Sequence, residues 1–197
     1  MELPIYELIL DDEALGLYTI SLVKEPATER AWFAFSSQDR NKTHIKCNIL
    51  EDGEQRRVLA VIARADFPFY RYMDGMEFYA TFPKETIQKM VQKFLKDGFQ
   101  NMVNVEHREN SYISGVEMTQ LFIKDISKGI NPKGFEDIED GSLFAEYKIE
   151  NDEVWEAIKA GIFTSVSLEG WFETRLVKDK VEVIDDMDLF FNELDKL

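Results

Sequence analysis

The sequence predicts an α+β fold, or a β-barrel with helices on its outside, and three observations carry that reading. Short apolar segments with strand patterning outnumber helical segments along the chain. Only two or three stretches place apolar residues at the three-and-four spacing of a helix face. Those helices fall between runs of strands instead of alternating with every strand, so a wound βα sheet is not expected.

The elements follow in order. Ile5 to Val23 reads as two short strands around an Asp-Asp-Glu turn at Asp11–Glu13. Ala31 to Phe35 is an apolar patch, and the polar, turn-rich SSQDRNKT at 36–43 reads as an internal linker. Val58 to Ala65 is a nearly continuous apolar run, the pattern of a strand buried on both faces. Phe67-Pro68-Phe69-Tyr70 breaks it, and Met76 to Phe82 resumes an extended pattern. The clearest helix is Lys84 to Asp97, with Ile87, Met90, Val91, Phe94 and Leu95 on one stripe, opened by Pro83 and stopped by Gly98. Met102–His107 and Gly115–Lys124 read as strands, Gly129–Gly141 as a long loop, and Leu143–Ile149 as another strand. Asn151 is placed to cap a short helix carrying Val154, Trp155 and Ile158 and ending at Gly161. Phe163–Trp171 is a strand with which Arg175–Val183 is expected to pair through a turn. Met187, Phe190, Phe191 and Leu194 fall on one face of an acidic tail helix.

At 197 residues with 45% hydrophobic composition, the chain has the size of one domain and enough apolar surface for a core. Its formal charge of −15 and the lack of a Lys/Arg cluster argue against nucleic-acid and anionic-membrane partners. Cys47 is the only cysteine, which excludes an intramolecular disulfide and a cysteine-based zinc site. The first ten residues lack a basic region, as a signal peptide would need, and no apolar run is long enough to span a bilayer.

Chemistry is narrowed by the two histidines, since a histidine base has to be His44 or His107. His44 lies in a polar stretch, where an exposed role is the simpler reading. His107 ends an extended segment just before a loop, where a strand can hold a side chain that the loop leaves accessible; a histidine without a role fits that position too. In GIFTSVSLEGWF, residues 161–172, alternation puts Phe163, Ser165, Ser167 and Glu169 on one face. A serine there needs a base to become a nucleophile, and the alternative is a polar face of an edge strand. No G-x-S-x-G elbow and no H-E-x-x-H are present. The carboxylate groups at Glu136–Asp140 and Asp185–Asp188 read as solvated charge.

Residues 142–172 resemble the C-terminal signature of the XkdF-like serine protease group of tailed-phage prohead proteases, through Asp152, Val154, Trp155, Ile158, Lys159, Gly161 and Ser167-Leu168-Glu169-Gly170. FPFYRYMDGMEFYATFPKETIQKMVQKFL, NMVNVEHRE and ISLVKEPATERAWFAFS resemble the same group's earlier tracts, so the likeness runs from about Gly16 to Phe172. The resemblance implies a herpesvirus-assemblin-like fold, a closed β-barrel ringed by helices. It implies a serine endopeptidase that needs no cofactor and trims scaffold and major capsid protein inside the immature head, in the host cytoplasm. Dimerisation follows by analogy. Ser167 then maps to the nucleophile and His107 to the base. Ser165 and Val166 stand where the group has Gly and Phe, which makes Ser165 a rival nucleophile. Gln120, Leu121 and Phe122 stand where relatives carry Glu-Ser-Trp/Phe, so the third member is expected at Glu117, with Gln120 and Glu182 as rivals. The expected division is a lead-in arm over 1–37, a protease domain over 38–184 and an acidic tail over 185–197. The alternative is an inactive protease-like protein that serves as a capsid-interior scaffold.

Overall fold

The computed structural model describes residues 3–10, 16–24, 48–49, 55–73, 75–108 and 111–178. His44, Cys47, Glu182, the boundary expected at 37/38 and the tail over 185–197 lie outside the described residues. The strands are β1 (Ile5–Ile9), β2 (Gly16–Val23), β3 (Asn48–Ile49), β4 (Arg57–Ala63), β5 (Phe69–Met73), β6 (Met76–Thr81), β7 (Val103–Val105), β8 (Val116–Ile123), β9 (Leu143–Ile149), β10 (Ser165–Trp171) and β11 (Glu173–Lys178). Among the described residues two α-helices lie between them, α1 (Lys84–Asp97) and α2 (Asp152–Lys159). The fold is α+β.

The described strands form three sheets, in the orders β11-β1-β6-β5, β10-β2-β7 and β3-β4-β9-β8. The closed barrel expected from the resemblance is not formed among these residues. Closure would need the edge strands of the three sheets to be laddered to one another, and no ladder joins the sheets among the described residues. β10 and β4 come into contact without pairing, and Leu22, Val58, Val166 and Ile158 line a small cavity there. The sheets are joined by strands that leave one and enter another. β1 and β2 are consecutive, as are β10 and β11; β10 pairs antiparallel with β2, and β11 antiparallel with β1. Arg175–Val183 was expected to fold back on β10, but β11 is carried away to the first sheet by a bend at Gly170–Phe172. The ladder bulges between Glu169 and Gly170, and Gly170 sits so close to Gly16 O and the Phe172 ring that a side chain has no room there.

One core lies among the sheets. It gathers Ile20 and Leu22 from β2, Phe78 and Ala80 from β6, and Leu143 and Tyr147 from β9, with Ile87, Met90 and Phe94 from α1 and Trp155 from α2. The two-residue period of β4 sends Val58, Ala60 and Ile62 into this core and Leu59 and Val61 into a smaller one with Phe135, Ile138 and Phe144. A strand buried on both faces is what its continuous apolar sequence requires. The loop over 129–141 covers the smaller core and is tied down by Lys124. Its buried ammonium donates to the carbonyls of Phe135 (2.9 Å), Glu136 (3.3 Å) and Ile138 (2.7 Å).

Both helices begin and end as the sequence predicts. Gly98 closes α1 in the left-handed region (φ 79°), its N–H returning to the last-turn carbonyls of Leu95 and Phe94. Asn151 caps α2, its side chain accepting from Val154 N at 3.1 Å. On α1, Ile87, Met90 and Phe94 face the core, whereas Leu95 is on the exposed flank of the stripe. β3 and β5 are strands that the sequence reading lacks: β3 pairs with β4, and β5 pairs with β6 as a hairpin. β4 ends at Ala63, and after Phe67-Pro68 the chain enters the first sheet at Phe69, one residue after the proline, where no proline N–H is needed.

Candidate active site

The second sheet carries a row of polar side chains on one face. Strand period puts Ile20, Leu22, Val103 and Val166 toward the core, so Ser21, Asn104 and Ser167 share the opposite face. Register sets them side by side: Ser167 of β10 lies opposite Ser21 of β2, and Ser21 lies opposite Asn104 of β7. Directly opposed residues keep their Cβ atoms about 4.5–5.5 Å apart. All three are buried.

His107 reaches this row from the turn that follows β7. Glu106 and His107 both have positive φ, 50° and 55°, an uncommon conformation for residues with side chains and one that costs energy. Two contacts with β2 and its end hold the turn there: Glu106 N donates to Leu22 O at 3.0 Å, and Glu106 Oε1 accepts from Lys24 N at 2.8 Å. The histidine side chain remains 41% exposed while Glu169 beside it is 15% exposed. The base candidate therefore stands at the border between solvent and a buried polar row.

Glu169, two residues beyond Ser167 on β10, draws the row together. Its Oε1 lies 3.0 Å from His107 Nδ1 and accepts from Asn104 Nδ2 at 3.0 Å and from the Ser21 hydroxyl. Ser21 Oγ also lies 3.2 Å from His107 Nδ1 and 2.5 Å from Asn104 Oδ1. The Ser21 hydroxyl has one proton, so it donates to either Asn104 or Glu169 at any moment. Burial pushes the Glu169 carboxyl upward, but hydrogen bonds from Ser21, Asn104 and His107, with the His107 charge, outweigh it and hold the group below its ordinary value.

Ser167 and His107 are thus brought to the same face of one sheet, with no hydrogen bond between them. Ser165 is fully buried at the edge of the small apolar cavity, its hydroxyl 3.4 Å from Val166 O. Glu117 and Gln120 sit on β8 in the third sheet. Glu117 is exposed and makes no ion pair with His107, and Gln120 donates to Glu146 at 3.5 Å. Ser21, Asn104 and the contact of Glu169 with His107 are absent from the sequence reading. A signal existed for Glu169, since alternation alone puts it on the Ser167 face. For Ser21 the decisive fact is the strand pairing, which no local pattern in GLYTISLV discloses. Among the described residues no cluster of His, Cys, Asp or Glu could hold a metal ion, and no helix is long and apolar enough to cross a membrane.

A family model described as "Putative phage serine protease XkdF" matches residues 51–175, more than half of the chain. Comparisons with curated proteins and with solved structures found no match. The span covers β7, the His107 turn, β10 and Ser167, so the polar row and the family signature coincide over most of the site. The chain belongs to the phage serine protease XkdF family.

Proposed function

We propose that the chain is a serine endopeptidase that trims scaffold and capsid-protein segments inside an immature phage head, with Ser167 as nucleophile and His107 as general base. The observation that carries this reading is the meeting of His107 and the Ser167 strand on one polar face, with the His107 ring held at Nδ1 by a carboxylate. A ring held at Nδ1 offers Nε2 as the basic nitrogen. Ser167 Oγ attacks the scissile carbonyl as Nε2 takes its proton. The C–N bond breaks when the imidazolium returns that proton to the leaving amine. Water then enters by the same general-base route and releases the acid, regenerating Ser167.

Major capsid and scaffold proteins are the proposed substrates, on the strength of the prohead protease resemblance. The same resemblance supports kinship with herpesvirus assemblin and a homodimer. The second reading, a protease-like capsid-interior protein without activity, is favoured by one observation: Ser167 makes no hydrogen bond to His107. Catalytic hydrogen bonds in substrate-free sites are often long and tighten in the substrate complex, so the active reading is preferred. Co-expression with the neighbouring capsid and scaffold proteins, read by intact mass, tests it. Defined truncations with the wild-type chain that vanish with Ser167→Ala are expected. Identical unprocessed masses in both samples would refute the reading.

A further inference from the structure

We infer that Glu169 is the positioning carboxylate of this site, fixing the tautomer and orientation of His107, and that Asn104 and Ser21 fix Glu169 in turn. The inference rests on the Ser167–His107 reading and names the third member that the sequence placed at Glu117.

Geometry separates the two carboxylates. Glu169 Oε1 is 3.0 Å from Nδ1, whereas Glu117 is an exposed residue of another sheet. Glu169 is on the strand that carries Ser167, two residues on and on the same face, so one rigid element sets nucleophile and carboxylate relative to each other. Its own freedom is removed by the Ser21 hydroxyl from β2, laddered to β10, and by Asn104 Nδ2 at 3.0 Å from β7, laddered to β2 in turn. The strained backbone at Glu106 and His107 delivers the ring to that carboxylate.

The consequence for the reaction is a division of labour between the two ring nitrogens. Nδ1–H stays bonded to Glu169 throughout, and no proton passes to the carboxylate. Nε2 alone exchanges the proton with Ser167 and the leaving amine. The negative charge of Glu169 stabilises the imidazolium that forms between those two transfers. The lowered proton affinity of the carboxyl is consistent with an anion kept by three donors.

Ring-nitrogen NMR on the full chain tests this without reference to proteolysis. The chain has two histidines, and His44→Gln assigns the His107 signals. In the wild type, neutral His107 is expected as the Nδ1–H tautomer, the minor form in water, and the Nε2–H tautomer would overturn the proposal. Glu169→Ala is expected to move the neutral His107 ring toward the Nε2–H tautomer, while Glu117→Ala leaves it in the Nδ1–H form. An unchanged tautomer in Glu169→Ala, or an equal change in Glu117→Ala, would also overturn it. On the processing reaction, Glu169→Gln is expected to lower kcat by about 10²–10⁴-fold with KM little changed, and Glu169→Asp to recover part of that loss. A merely structural glutamate would change the folded fraction and leave kcat per folded molecule intact. If the wild type cleaves nothing while the His107 tautomer still answers to Glu169, the endopeptidase reading fails and the pairing stands.

Discussion

Gly170→Ala tests the bend by which the chain passes from the site-bearing sheet to the neighbouring one. Gly170 lies outside the left-handed region, so alanine meets no backbone penalty there, and the cost is steric. An added Cβ would stand 2.5 Å from Phe172 Cε2, 2.9 Å from Phe172 Cζ and 2.8 Å from Gly16 O. The Phe172 ring cannot swing away freely because it packs edge-on against Phe82, with centroids 5.2 Å apart. The carbonyl of Gly16 is equally constrained, since that residue has a φ of 70° and lies against Leu10. Overpacking of this kind costs about 1–3 kcal/mol. With a urea m-value of about 2 kcal/mol/M, the midpoint should fall by about 0.5–1.5 M with m unchanged. Gly98→Ala is the control: nothing lies within 4 Å of its added Cβ, and its loss is the left-handed strain alone, about 1 kcal/mol. Because Glu169 is the residue before the bend, cleavage should weaken along with stability. A midpoint shift below about 0.2 M would refute the argument that the close approach of β10 to Gly16 sets the bend.

Three further outcomes are expected. Lys124→Met removes the donor from three carbonyls under the loop over 129–141 and should cost about 3 kcal/mol or more, with new protease nicks in that loop seen by limited proteolysis. Asn151→Ala removes the cap of α2 and should cost about 1 kcal/mol in urea denaturation, with Asn151→Asp retaining most of the stability. The folded Glu169 carboxyl lies below its ordinary value, so its contribution to stability is full above the unfolded carboxylate range and is lost as pH falls through the folded value. Urea midpoints measured from about pH 6 down to about pH 3 should therefore drop less steeply for Glu169→Gln than for the wild type; equal slopes would contradict that assignment.

The elements were legible where one local rule governs them. The α1 boundaries follow from Pro83, the apolar stripe and Gly98, and the start of α2 follows from Asn151. Leu143–Ile149 and the doubly buried β4 are equally plain from their apolar runs. What stayed hidden is non-local. Nothing in Glu173–Lys178 reveals that it pairs with Ile5–Ile9 some 165 residues earlier, because neither IYELI nor ETRLVK carries an apolar alternation that would fix a register. The same limit hid the third member: motif spacing pointed along β8, while β-pairing joined Glu169, Ser21 and Asn104 from three distant segments. Ser167 and His107 were legible as candidates through residue scarcity and motif, yet their common face depends on β2 standing between them.

That intervening strand has a consequence for where the protein can be cut. The family signature begins at residue 51, whereas β2 ends at Val23. A chain trimmed to the signature would leave β10 without its ladder partner, and the His107 turn without the Leu22 and Lys24 atoms that anchor it. The unit that the family model matches is therefore smaller than the unit that can fold into a site. Such a trimmed chain is a half-built sheet with an open slot, and β2, supplied on a separate peptide, is the strand that pairs there.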